Sequence, residues 1–242
     1  MTPASPIIEE MGGDAKRSYV REMFTAIAPR YDFLNHFLSL SIDRRWRRRA
    51  VRALRWSESP QGRYLDLCAG TLELAFELAR QKGFHGKVLG ADFVVPMLKL
   101  GRAKGRNVEA VGADALTLPF PDRLFDGCVI GFGVRNLADL DRGLGEIARV
   151  LKRGGRVVIL EFSTPRSWPL RPLYLFYFRH VLPLIGRLVS KHTTAYSYLP
   201  ASVGRFPSPP AFSEALRCAG FGDVTFTPLT GGIATLHQGV RA

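Results

Sequence analysis

The stretch Tyr64–Glu73, YLDLCAGTLE, constrains this chain more than any other. An apolar run at Tyr64, Leu65 and Leu67 reaches a carboxylate, Asp66, and then a small-residue turn, Cys68–Ala69–Gly70–Thr71. A helical pattern follows at Leu74, Ala75, Leu78 and Ala79, and a second apolar strand, Val88–Ala91, ends on Asp92. Strand, turn, helix and strand, with a carboxylate about 20 residues beyond the turn, is the layout of a doubly wound nucleotide site. In that layout Gly70 lets backbone approach a ligand, the helix start offers free N–H groups, and Asp92 can accept from both ribose hydroxyls. Only one glycine of the G-x-G-x-x-G set is present, which disfavours a dinucleotide. A ligand without a pyrophosphate, such as S-adenosylmethionine, fits better.

The alternation continues downstream. Strands are expected at 64–67, 88–91, 108–111, 127–131 and 156–161, with helices near 72–81, 94–104 and 138–151, and Gly154–Gly155 turning into the fifth strand. Alternating β and α implies a parallel sheet covered on both faces. Two further strands, 224–226 and 233–239, predict seven strands in all, one of them antiparallel. Upstream, helices are expected at 16–28 and 44–54, separated by Pro29 and a polar-aromatic stretch from Tyr31 to Asn35. Later helices are expected at 193–203 and 213–219. The organisation is a flexible tail over 1–14 and one domain over 15–242. Within it, 15–56 forms a helical cover and 163–207 a helical insertion on the substrate and membrane side.

With 242 residues and a formal charge of +13, the chain is long enough for one sizeable core and points to an anionic partner. Seven arginines between Arg44 and Arg55 concentrate that charge. Cys68, Cys128 and Cys218 lack metal-ligand spacing, and a sparse odd count suits a reducing compartment. The first residues lack the basic start and apolar core of a signal peptide, and no apolar run reaches the ~18 residues a span needs. A cytoplasmic protein, attached peripherally to the inner face of the membrane, is expected.

Strand ends nominate the site. Asp92 is the ribose candidate. Asp114 and Ala115, after the third strand, could meet an adenine amino group and ring nitrogen. Gly131–Asn136, GFGVRN, should line the site beside the reacting carbon, because ligands lie at the carboxyl ends of parallel strands. Methylases acting on exocyclic amines typically place an Asn/Asp-Pro-Pro-aromatic loop here, and this chain does not. Arg135 could stabilise a developing anion, with an ion pair to a loop carboxylate such as Asp139 as the competing assignment. Tyr31, Asp32 and Asn35 form a polar cluster, and His180 is a weaker proton acceptor. Leu170–Val189 carries an apolar stripe with arginines beside it, suited either to a bilayer surface or to packing on the sheet.

Two segments resemble signatures of the ubiquinone/menaquinone biosynthesis C-methyltransferases: YDFLNHFLSLSIDRRW at Tyr31–Trp46 and RVLKRGGRVVILEFS at Arg149–Ser163. The strings LPFPD, FGVRN, HVLPLIG and GGIATLHQG are similar to that family too, so the likeness runs from Val20 to the end. It implies a class I S-adenosylmethionine-dependent methyltransferase fold and C-methylation of a prenylated quinol, most simply demethylmenaquinol. Benzoquinol methylation and a non-catalytic role in a quinone-synthesis assembly remain alternatives. Carried over by position, cofactor contacts fall on Thr71, Asp92, Asp114, Ala115 and Gly131, to which the turn itself adds Gly70. The chemistry of ring methylation needs a stabilised phenolate: Arg135 can stabilise it, and Tyr31 and Asn136 can orient it or a water, with no metal expected. An anionic membrane surface is an expected partner, nucleic acid is not, and a homodimer is allowed. The chain departs from the family pattern at Leu72, where glycine is usual, and at Gly131, where serine is usual; Ser41 and Arg153 replace a glycine and a proline. Leucine takes negative φ readily, so Leu72 is expected to sit there with its side chain turned into the sheet.

Overall fold

The computed structural model describes residues 13–105, 107–165, 168, 170–177 and 193–242. Three helices come first: α1 (Gly13–Ile27), α2 (Tyr31–Leu38) and α3 (Ile42–Ala53). The alternating region then runs β1 (Arg63–Leu67), α4 (Glu73–Ala79), β2 (Lys87–Asp92), α5 (Val95–Arg102), β3 (Glu109–Gly112), β4 (Phe125–Gly131), α6 (Leu140–Val150) and β5 (Leu151–Phe162). It closes with α7 (Leu170–Phe176), α8 (Thr193–Arg205), α9 (Pro209–Cys218), β6 (Phe221–Leu229) and β7 (Ala234–Arg241).

All seven strands join one sheet in the order β3-β2-β1-β4-β5-β7-β6. β1 pairs in parallel with β2 and β4, and β7 runs antiparallel to both β5 and β6, so one strand of seven is reversed. Strand order reverses direction at β1, between β2 and β4. That is the switch point where open α/β sheets bind ligands.

Side chains alternate across the sheet and both sides are buried, which is why the central strands read as nearly unbroken apolar runs. Tyr64, Val88, Val129, Val158 and Leu160 face α3 and α4, meeting Trp46, Ala50, Val51, Leu74 and Leu78. Leu65, Leu67, Cys128, Ile130, Val157 and Ile159 face α6 and α9, meeting Leu144, Ile147, Phe212 and Leu216.

Several boundaries differ from the expectation for local reasons. The polar-aromatic stretch after Pro29 is itself the helix α2; it follows a 3₁₀ turn at Ala28–Arg30 that accommodates the proline. α9 starts at Pro209, directly after Ser208, the usual place for a proline in a first turn. Gly154 is not a turn before β5 but lies within it at φ +77°, and pairing jumps there from Phe125↔Leu151 to Gly127↔Arg156. Gly13 and Asp14, expected in the tail, belong to α1, and the rest of that tail lies outside the described residues. His180 and the greater part of Leu170–Val189 also lie outside them.

Candidate functional site

The carboxyl ends of β1, β2, β3 and β4 surround a cleft of about 730 Å³ including its open mouth. Its floor is the turn after β1. Gly70 has φ +51°, and its N–H donates to Asp92 Oδ2 at 2.8 Å. Val94 N–H donates to Oδ1 at 2.8 Å. The competing idea for Asp92, a carboxylate serving the next helix, is therefore also true of it. Each carboxylate oxygen has a second lone pair, so the two that remain can accept a vicinal diol. Burial pushes the Asp92 carboxyl up, and the N–H groups of Val94, Gly70 and Phe93 pull it back.

Asp114, beyond β3, accepts from Leu116 N–H at 2.9 Å and ion-pairs with Arg17 of α1. Ala115 is buried beside it, and both line the cleft with Phe93, Val94 and Met97. Gly131 ends β4 at the opposite wall; a Cβ there would lie 2.7 Å from Leu74 Cδ1. The glycine that stands in place of serine therefore makes room for Leu74.

Thr71 is not among the cleft-lining residues. It is buried, and its hydroxyl donates to Asp32 of α2. Lys104 Nζ lies 2.6 Å from Asp32 Oδ2 and 2.7 Å from Glu73 Oε1, and donates to the Thr71 carbonyl at 3.2 Å. Thr71 thus clamps the cofactor turn to α2 rather than pointing into the cleft. Leu72 corrects the sequence expectation in one respect. Its φ is +65°, in the left-handed region. Its side chain does turn inward: it is fully buried and fills the space over Gly90 of β2 and Gly101 of α5, where a Cβ on either glycine would strike it.

Arg135 is a second correction. It does not line the cleft. Its side chain is 6% exposed, with Nη1 2.8 Å from Glu161 Oε1, itself 1% exposed. Nη1 also donates to the Phe132 carbonyl, Nε reaches Ser202 Oγ at 3.3 Å, and the guanidinium lies 5.6 Å from the Phe162 ring centroid. An arginine so neutralised holds the turn Gly133–Asn136 against β5 and α8. The partner considered from sequence, Asp139, instead accepts from Arg142 N–H at the start of α6, 3.0 Å away. Asn136 does line the cleft, with Oδ1 accepting the Tyr198 hydroxyl at 3.0 Å. Tyr31 lines it from α2, and burial pushes its hydroxyl up against the opposing pull of Asn35, Arg47 and Arg135.

Sequence reasoning missed Arg17, Phe24, Phe93 and Met97 in this wall. Phe93 adjoins Asp92 and was the most readable of them. It also missed the buried hub at Asp43. That carboxylate accepts from Ser39 Oγ at 2.8 Å and lies 2.9 Å from His36 Nδ1 and 3.4 Å from Arg47 Nε, tying α2 to α3.

These residues suit a nucleoside with a short charged tail: a diol acceptor at Asp92, a second acceptor at Asp114, apolar walls at Phe93 and Met97, and a close backbone approach at Gly70. Fold and cleft together define a class I S-adenosylmethionine-dependent methyltransferase. Residues 12–241 match the ubiE/COQ5 methyltransferase family. The chain belongs to that family. It is 48% identical over 232 residues to the ubiquinone/menaquinone biosynthesis C-methyltransferase UbiE of Geobacter sulfurreducens, covering 93% of this chain and 90% of that one. It is 48% identical over 223 residues to the demethylmenaquinone methyltransferase of Thermus thermophilus, covering 90% and 100%. Among solved structures, the [4+2]-cyclase SpnF shares the fold with TM-score 0.67 at 15% identity, covering 92% of this chain and 94% of that one. The methyltransferase bound to the Haloferax volcanii activator Trm112 shares it with TM-score 0.63 at 19% identity, covering 90% and 96%.

Proposed function

We propose that this enzyme methylates a ring carbon of a prenylated quinol, demethylmenaquinol, at the cytoplasmic face of a membrane. The observation that carries the reading is the composition of the cleft wall supplied by α1, α2 and the turn after β4. Val20, Phe24, Tyr31 and Asn136 present an apolar surface with one phenol and one amide, while the carboxylates that line the cleft among the described residues, Asp92 and Asp114, are engaged by the Gly70 and Val94 N–H groups and by Arg17. The turn after β4 is Gly131–Phe132–Gly133–Val134, without the paired prolines used on exocyclic amines. Relatives named for menaquinone biosynthesis favour the naphthoquinol over the benzoquinol.

Asp92, Asp114, Ala115, Gly70 and Gly131 would hold S-adenosylmethionine, which supplies an electrophilic methyl on a sulfonium. The chain's own task is to make the ring carbon nucleophilic. A phenolic proton has a pKa near ~10, so the site must stabilise phenolate. Tyr31 is poised as a donor to that oxygen, since burial keeps its own proton in place. The Asn136 amide, its oxygen engaged by Tyr198, offers its N–H₂ donors. Arg135 acts through Asn136 as a positioning residue, fixing the turn that carries it. Quinones extracted from cells lacking this gene test the reading: a demethylated naphthoquinone should accumulate, and unchanged menaquinone would refute it.

A further inference from the structure

α2 turns polar side chains inward and two large aromatic ones outward. Its inward side carries Tyr31 to the cleft, Asp32 to Thr71 and His36 to Asp43. Its outward side carries Phe33 and Phe37, 61% and 52% exposed, and the turn beyond adds Leu40, 82% exposed. Phe33 and Phe37 stand at i and i+4 on one helical stripe, and Leu40 follows in the turn. The two phenylalanine rings stack on each other, with centroids 5.8 Å apart. Leu40 and Ser41 both take positive φ, 51° and 59°, reversing the chain directly into α3. The outward face of α3 is Arg44, Arg45, Arg48, Arg49 and Arg52, all exposed. Among the described residues, Arg48 is the one of these with a carboxylate near, Glu77 at 3.9 Å.

We infer that the α2–α3 hairpin is the face that docks this enzyme on an anionic phospholipid bilayer. Phe33, Phe37 and Leu40 enter the acyl boundary while the α3 arginines meet lipid phosphates. The inference deepens the quinol reading and rests on it, because a prenylated acceptor resides in the bilayer. Geometry couples the two: Tyr31, on the cleft side of the same short helix, packs in one cluster with Tyr174 of α7. α7 in turn exposes Leu173 and Phe176, with Trp168 exposed just before it. A second copy of the chain is a poor occupant. A two-fold contact through this face would set one arginine row against its twin, and like charges across an interface oppose association.

The test uses the full chain and sedimentation with phosphatidylcholine vesicles, with and without phosphatidylglycerol. Wild type should pellet with the anionic vesicles and be released by salt. Phe33→Ser/Phe37→Ser should lose at least about tenfold in partitioning. Replacing Arg44, Arg45, Arg48 and Arg49 by Gln should lose about fivefold per arginine and remove the salt dependence. Both variants should methylate a detergent-solubilised short-tail demethylmenaquinol as wild type does, which separates docking from chemistry. Variants that pellet like wild type would overturn this face while leaving the quinol reading intact. Wild type that ignores phosphatidylglycerol, or a concentration-dependent dimer abolished by the phenylalanine variant, would also overturn it. Failure of wild type to methylate the short-tail quinol would sink the quinol reading instead.

Discussion

Leucine at position 72 offers a sharp test of the cofactor turn. Its side chain is fully buried over Gly90 and Gly101 while its backbone sits at φ +65°. Two costs therefore oppose each other. Leu72→Ala removes a buried side chain, worth about 3–4 kcal/mol, and keeps a Cβ in left-handed geometry. Leu72→Gly loses one more carbon, about 0.8 kcal/mol, but relieves the left-handed penalty of roughly 1–2 kcal/mol. The glycine form should then equal the alanine form or exceed it by up to about 1 kcal/mol. In ordinary helical geometry glycine would fall about 2 kcal/mol below alanine, from propensity and the lost carbon together. A partner substitution sharpens this. A Cβ on Gly90 collides with Leu72, so Gly90→Ala alone should cost about 1–3 kcal/mol. With Leu72 gone, the nearest atom is Ala69 Cβ at 3.3 Å, and the methyl fits once that side chain gives by a few tenths of an ångström. Leu72→Gly with Gly90→Ala should thus show a coupling of about 1–3 kcal/mol in urea unfolding. Cofactor affinity of the folded variants should hold, because Leu72 forms no part of the cleft wall. Alanine more stable than glycine by 2 kcal/mol, or strictly additive changes, would refute the geometry.

Asp92→Ala should weaken S-adenosylmethionine binding about 10- to 150-fold by calorimetry, and unchanged affinity in a folded variant would remove Asp92 from the site. Arg135→Ala should destabilise the protein by roughly 3–5 kcal/mol, since it strands Glu161 unpaired in the core, whereas Arg135→Met with Glu161→Met should cost much less; equal losses would contradict the buried pair. Asp66 is pushed up to about 7 by burial, against the pull of the Ala75 N–H and Arg47. Its folded pKa lies above the unfolded ~3.9, so its contribution is fully present below that value and is lost as pH rises through about 7. Asp66→Asn should therefore gain on wild type between pH 5 and pH 8, by roughly 2–3 kcal/mol in unfolding free energy, and a constant difference across that window would count against it.

The sheet was legible because its signal is strong and local. Apolar runs ending at Gly70, Asp92, Asp114 and Gly131 fix four strand ends, and parallel topology brings strand ends to one edge. α2 was not legible as a helix. Its eight residues follow a proline, and Phe33 and Phe37 face outward while Asp32 and His36 face inward, so the pattern that marks a buried face is lost. Arg135 illustrates a different limit. Its residue type and place beside the site were readable, but its partner, Glu161, lies 26 residues away on a neighbouring strand and has no sequence signature of pairing. Thr71 fails similarly: which way a turn hydroxyl points depends on Asp32, 39 residues upstream. The sign of φ at Leu72 was hidden because propensity favours the negative value, and packing against two glycines overrides it.

The threading of the last three strand positions bears on how the chain comes off the ribosome. β6 precedes β7 in sequence, yet it joins the sheet only through β7, which lies between it and β5. Synthesis proceeds at roughly 5–20 residues per second and domains form in the order they emerge. For an interval, then, β1 to β5 can pair while β5 shows an open edge, lined by Val157–Leu160, that nothing yet made can close. Such an edge invites pairing with a neighbouring nascent chain. Slowed translation across 221–241 should therefore raise the aggregated fraction of this protein more than an equal pause within 63–92.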